Sequence, residues 1–271
     1  MTTVATPVTT RRVRRRARGG DAALGAAGAL VVVALQEALT RTGVVDADYL
    51  PPFSAIAAEL ARRLSEPEFW QAVVDTVQGW AVGLLIATAL GVVAGVVIGS
   101  LPLVRELTSS TVEFLRPIPS VALIPLVVLL FGTRPASSII LVVYAAVWQV
   151  LVQVLHGVAD VDPVARDTAR SYRFSPWRTA RSVVWPTALP YVLTGFRLAA
   201  AVALVLEITA ELVIGVPGLG HAIGVAQSSG AVETTYALVI VVGLLGVAVN
   251  LLARAVEKRA LAWHPSVRSA S

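Results

Sequence analysis

The sequence predicts an all-α integral membrane protein with six transmembrane helices, and three observations carry that reading. Of 271 residues, 56% are apolar and only 14% are charged, against about 25% charged in a soluble domain. The apolar residues gather into six runs near the ~20 residues that cross a hydrocarbon core. The basic residues between those runs are biased to one side, as the positive-inside rule requires. With no Cys, disulfide-stapled domains and thiolate metal sites are excluded.

In chain order, residues 1–20 form a basic tail, expected to be disordered, with Arg11, Arg12, Arg14, Arg15, Arg16 and Arg18 ahead of any acid. A net charge of +5 might suggest nucleic acid, but no basic fold follows this tail. It reads as a topology determinant held in the cytoplasm, with anionic lipid as a further partner. A single domain, 21–260, then contains the spans, and 261–271 forms a second cytoplasmic tail. Span one, about 22–39, ends near Gln36 and Glu37. It reads as an uncleaved anchor or as a signal peptide. Span two covers about 72–101, and span three, about 112–131, is bent or broken by Pro117, Pro119 and Pro125. Spans four, five and six cover about 137–158, 189–213 and 236–253.

Six spans with the Arg tail inside place both termini in the cytoplasm. They also place Arg105, Arg116, Arg166, Arg170, Arg173, Arg178, Arg181, Arg254, Lys258, Arg259 and Arg268 inside. Only Arg41, Arg62, Arg63 and Arg134 fall outside. Between spans one and two, Ile56, Leu60 and Leu64 mark a short amphipathic helix. Between spans five and six, a Gly-punctuated stretch predicts a re-entrant piece around His221 to Gln227.

The cytoplasmic loop 159–186 is the richest segment. Asp162-Pro163 and Ser175-Pro176 each pair an N-cap residue with Pro at the first helical position. They predict two helices, about 163–172 and 176–185. On the first, Val164, Thr168 and Tyr172 share a face with Ala165 and Ala169, flanked by charges. Such a face suits docking into a groove on another protein, and a solvated loop helix is the plain alternative.

This loop resembles the cytoplasmic "EAA" loop of bacterial ABC importer permeases, whose pattern is Glu-Ala-Ala, three residues, Gly, nine residues, Ile, one residue, Leu-Pro. Here the same spacing gives Asp167-Thr168-Ala169, Arg170 to Tyr172, Arg173, nine residues, Val183, Val184 and Trp185-Pro186. Further likeness lies in 188–198, in 114–125 and in Ala210-Glu211 followed by Pro217-Gly218-Leu219-Gly220. Together these are similar to the nitrate, sulfonate, taurine and bicarbonate branch over roughly residues 22–260. The resemblance implies a type I ABC importer permease fold with a two-helix coupling loop. It implies function as the membrane subunit that passes a small anionic solute, delivered by an external binding protein. It implies as partners two ATPase subunits, which bind ATP and Mg, and a second permease, identical or homologous. Coupling residues carried over from the motif are Val164, Ala165, Asp167, Thr168, Ala169, Tyr172, Arg173, Ser175 and Pro186. Arg173 stands where the family has Gly, and a left-handed conformation there would cost about 1 kcal/mol.

The chain reads as no enzyme. A Walker A motif needs Gly-Lys-Ser/Thr, and the one Lys, Lys258, lies between Glu257 and Arg259. Catalytic, metal and cofactor residues are all absent from the reading: His156, His221 and His264 lack ligand spacing. Glu207 and Glu211 lie one turn apart inside span five, where an acid costs roughly 2.5–3.5 kcal/mol. Together with Arg197, Pro117, Pro119 and Pro125 they are the pathway or gating candidates, with a structural or gating role for the two acids. The alternative function is an ATP-independent, proton-coupled transporter using both. A membrane enzyme would need a polar catalytic cluster that is not visible. In span two, Gly79, Gly83, Gly91, Gly95 and Gly99 form a small-residue stripe for close helix packing, within the chain or between subunits.

Overall fold

The computed structural model describes residues 18–261, so most of both expected tails lies outside the described residues. The described chain is helical throughout, in eleven α-helices. Five of them (α3, α4, α6, α7 and α8) begin on a proline, at Pro67, Pro102, Pro135, Pro163 and Pro176. Pro is tolerated there because the first N–H groups of a helix have no intrahelical acceptor. The chain divides into two units, Met1–Ala57 and Ala58–Ser271.

In the first unit, α1 (Arg18–Arg41) exposes Leu30, Val31, Val32 and Leu35, the surface of a helix made for lipid contact. Its polar end has a structural use. The Glu37 carboxylate accepts the Ser54 backbone N–H at 3.0 Å and the Ser54 hydroxyl at 2.8 Å. The Gln36 amide donates to the Pro51 carbonyl at 3.1 Å. These bonds tie off the start of α2 (Phe53–Arg63).

The second unit is a bundle built on α3 (Pro67–Ser100), α6 (Pro135–Ala159), α9 (Trp185–Ile214) and α11 (Val232–Ala260). Helix α3 begins five residues earlier than the apolar run suggests, because Glu68, Gln71 and Asp75 sit in its first turns. The glycine stripe packs within the chain. A Cβ added at Gly83, Gly91, Gly95 or Gly99 would meet the side chain of Val142, Val150, Val154 or Val158 at 2.5–2.9 Å. Both sequences ascend together, so α3 and α6 run parallel. Gly195 abuts Val150 and Gly157 abuts Ala188, so α9 runs antiparallel to α6. Arg197 pairs with Glu257 at 3.3 Å, and Gly246 lies beside Leu204, so α11 runs antiparallel to α9. The core between them uses small residues: Ala87, Ala146, Ala199, Ala200, Ala203 and Ala210 are all buried.

Parallel α3 and α6 oblige the chain between them to return across the bundle. That return is α4 (Pro102–Leu115), a 3-10 turn at 120–123 and α5 (Ile124–Phe131), bent by 83° at the break. Pro117 and Pro119 cause the break. Pro119 has no N–H to give the Leu115 carbonyl, which accepts the Ile118 N–H at 3.2 Å in a tighter turn and the Tyr144 hydroxyl at 2.8 Å. By length and composition four helices can cross a membrane, or up to six when each bent pair is one span.

The second loop helix is not a separate element. Helix α8 (Pro176–Thr179) runs through a π-helical turn at 180–184 into α9. Pro186 would leave the Ser182 carbonyl without its i+4 donor, and the widened turn absorbs that defect. The re-entrant piece is α10 (Leu219–Ser228).

Near the chain's opposite end of the bundle, Glu59 of α2 forms an ion-pair cluster. Arg62 donates to both its oxygens, at 2.6 and 2.9 Å, and Arg63 and the Thr234 hydroxyl donate at 3.0 and 2.7 Å. The Arg62 hydrogen bonds, foremost, hold the Glu59 carboxyl down at about 2, below its ordinary 4.5. Because the folded value is depressed, this contribution to stability is complete above pH 4.5 and is lost as pH falls through about 2. Glu59→Gln should therefore lower the melting temperature by an amount that is constant above pH 4.5 and shrinks towards pH 2, read by thermal unfolding in detergent. Gly95→Ala should cost about 1–3 kcal/mol by overpacking, and Val154→Ala in the same chain should recover part of the loss.

Candidate functional site

Helix α7 (Pro163–Ser171) is held at both ends. Asp162 caps its start, accepting the Val164 N–H at 2.8 Å. At its end Phe174 N–H donates to the Ala169 carbonyl and Arg173 N–H to the Arg170 carbonyl, both at 2.9 Å, the two bonds of a Schellman motif. Arg173 supplies the left-handed residue with φ 53°, the sole non-glycine at positive φ among the described residues. The turn thus keeps the shape a glycine would give and bears the steric cost.

The helix is also oriented. Arg166 donates to the Val158 carbonyl at the end of α6, at 2.6 Å, and Ala169 is 3% exposed. Ala169 and half-buried Ala165 therefore face the protein's own interior. The outward face consists of Val164, Asp167, Thr168 and Tyr172, with Val164 and Tyr172 at 70% and 74% exposed. Ser175 caps α8, accepting the Arg178 N–H at 3.3 Å, and Arg178 stacks 4.1 Å over the Phe174 ring. Pro186 lies just beyond the π-turn and does not join the α7 face.

Glu207 and Glu211 are both buried but differently engaged. Glu211 accepts the Gly220 N–H at 2.8 Å and the Thr76 hydroxyl at 3.0 Å, while Thr76 accepts the Leu219 N–H at 2.8 Å. The carboxylate and hydroxyl thus satisfy the first two N–H groups of α10, where the helix dipole favours an acid. The approach is close enough to require glycine. A Cβ on Gly220 would strike the Ile208 carbonyl oxygen, and one on Gly218, at φ 151°, would strike the Glu211 carboxylate. Glu207 accepts the Ser138 hydroxyl at 3.2 Å. It lines a cavity of about 410 Å³ with Asp75, Gln78 and Ser138. Arg197 is engaged in its surface ion pair with Glu257. A second polar cavity, of about 280 Å³, lies at the Pro117–Pro119 break; Pro125 stands beyond it, at the start of α5. Among the described residues no cluster of His, Asp and Glu could hold a metal.

Sequence reading found Glu211, the glycines and the loop but missed their partners Thr76, Ser138, Tyr144 and Arg166. Two signals were available. A Thr inside an apolar run needs an acceptor, and an acid eight residues before a Gly-Leu-Gly helix start can cap it.

Broken and parallel-packed membrane helices with an exposed, rigidly capped loop helix define a transport permease. Residues 87–261 match the family described as "Binding-protein-dependent transport system inner membrane component", and the chain belongs to that family. It is 28% identical over 225 residues to the taurine transport system permease protein of Escherichia coli (strain K12), spanning 81% of this chain and 82% of that one. It is 30% identical to the bicarbonate transport system permease protein of Synechococcus elongatus, over 66% of this chain and 64% of the relative. Its fold matches a chain of the MetNI methionine ABC transporter in an inward facing conformation, with TM-score 0.61 and 19% identity over 72% of this chain and 98% of that one. The protein is thus the multi-pass inner-membrane permease of a binding-protein-dependent ABC importer, with an ATPase and a binding protein as separate partners.

Arg173→Gly should relieve about 1 kcal/mol of backbone strain. Amide exchange at the α7 C-terminus should then slow about fivefold, read by hydrogen–deuterium exchange.

Proposed function

We propose that this permease passes a small oxyanion and that the outward face of α7 is where the ATPase engages it. The observation that carries the docking reading is the contrast on one short helix. Ala165, Arg166 and Ala169 fasten α7 to the bundle, while Val164, Asp167, Thr168 and Tyr172 stand exposed on a capped, rigid element. A helix presented in this way transmits a push instead of absorbing it. The oxyanion reading is supported by the relatives, whose names specify taurine and bicarbonate transport.

Sidedness follows from charge. The loop's arginines and Arg254, Lys258 and Arg259 collect at the end of the bundle where α6 and α11 finish and α9 begins, and that end is cytoplasmic by the positive-inside rule. Both termini then lie inside. Two permeases, identical or homologous, frame the pathway and two ATPases dock beneath them. Closure of the ATPases on ATP draws the two α7 helices together, and the continuous α8–α9 segment carries the motion to the Glu211 contact with α10. Glu211 acts as a structural clasp in this scheme, its carboxylate already holding two donors. Substrate selection rests chiefly with the external binding protein.

The test is co-purification from native membrane. Asp167→Arg with Thr168→Arg alters only exposed positions, so insertion should be normal while recovery of the ATPase falls at least tenfold. Undiminished recovery of the ATPase by this variant would overturn the docking assignment.

A further inference from the structure

The cavity at the span-three break is walled by Arg116, Pro117, Ser120, Tyr144, Trp148 and Gln149, with no carboxylate among its lining residues. Its chemistry is biased towards donors. The Trp148 indole N–H can only donate; it is buried and has no acceptor among the described residues. Arg116, Ser120 and Gln149 make no side-chain hydrogen bond or ion pair there either. Tyr144 is already committed to the Leu115 carbonyl at 2.8 Å and stacks edge-on to Trp148 with ring centroids 5.8 Å apart. A buried N–H without an acceptor costs roughly 1–3 kcal/mol, and a guanidinium within the bilayer is costlier still unless it meets a counter-charge.

The height of the cavity narrows the occupant. Tyr144 follows Pro135 by nine residues and Gln149 precedes Ala159 by ten, so the pair brackets the middle of α6, at least about 14 Å from each end. Arg116, grouped by sequence with the cytoplasmic charges, therefore stands beside the middle of the bundle. A lipid phosphate belongs at the interface, whereas a transported solute must pass the centre. Transporters place solute sites near the midplane at interrupted helices.

We propose that Arg116, Ser120, Trp148 and Gln149 form a transient oxyanion subsite on the translocation pathway. It takes a singly charged oxyanion: the guanidinium balances the charge, and the indole N–H, hydroxyl and amide hold the oxygens. This rests on the oxyanion reading above and deepens it. In the acid-lined cavity of Glu207 and Asp75 the same ligand would be repelled, whereas the break offers it donors without a carboxylate. The volume, about 280 Å³, is at the low end for ligand pockets and admits a small solute with its remaining water.

The experiment uses full-length protein in nanodiscs of zwitterionic lipid, with its six tryptophan indoles labelled with ¹⁵N. Methanesulfonate, nitrate and bicarbonate are titrated in turn, and choline chloride serves as the non-oxyanion control. The Trp148 signal is assigned by its loss in Trp148→Phe, which keeps the ring against Tyr144. The expected result is a saturable shift of that one signal by at least one oxyanion and none by choline chloride, with half-saturation raised about tenfold in Arg116→Gln, as for loss of one charge-assisted bond. A shift that appears only when phosphatidylglycerol is added to the disc assigns the site to a lipid headgroup and overturns the proposal. So does an indole unmoved by every anion. A parallel assay of ATP-driven uptake by the whole transporter in liposomes separates the two readings. Uptake of an oxyanion with an unresponsive indole removes the subsite alone. Absence of uptake of all three anions removes the oxyanion reading beneath it.

Discussion

Hydrocarbon offers no water to a backbone group left without its partner, and the interrupted segments of this chain are organised around that shortage. Two of three interruptions are met by donors or acceptors borrowed from elsewhere, and the third by a change of helix type. The Leu115 carbonyl, without its i+4 donor because of Pro119, receives the Ile118 N–H and the Tyr144 hydroxyl. The first N–H groups of α10 receive Glu211 and Thr76. The break before Pro186 is spread over a π-turn. These repairs do more than satisfy polar atoms. The first two join elements distant in sequence, α6 to the span-three break and α3 to the α9–α10 corner, so these interruptions become cross-links of the bundle.

Close packing supplies the rest. With lipid as apolar as the core, helices gain little from burying leucine and must gain from contact. The glycine face of α3 against the valine face of α6 brings two backbones together over four turns. The alanines of α9 continue the contact on the other side of α6. Larger apolar side chains, such as Leu85, Leu90 and Val93 on α3 or Leu251 and Leu252 on α11, are left on the outside.

Much of this was legible in the sequence, for definite reasons. Long apolar runs, prolines at helix starts and the spacing around Asp167 each act locally, so span positions, the first loop helix and the family resemblance could be read from neighbouring residues. Arg173 could be recognised as standing at a left-handed position because its neighbours set the turn. What could not be read depends on pairing across the bundle. Ala169 shares a helical face with Val164 by spacing alone, yet lies inside, in the helix that Arg166 ties back to the Val158 carbonyl. The second loop helix merges with α9 because a π-turn can absorb a proline, which no propensity signals.

The merging of α8 with α9 has a mechanical side. From Pro176 to Ile214 the chain is one helical rod, 39 residues and about 58 Å long at 1.5 Å per residue. Its lower end is wired to the loop and its upper end to the Glu211 corner. A rod of uniform stiffness would tilt as a whole. This one contains a compliant joint, the π-turn at 180–184, where the loop meets the bundle, and a second weak point at Pro190 inside α9. Were α7 pushed as proposed, the stress would be divided: part would turn the rod and part would be taken up at these irregular turns. Under the proposed docking, the ratio of the two sets how much motion reaches the Glu211 corner.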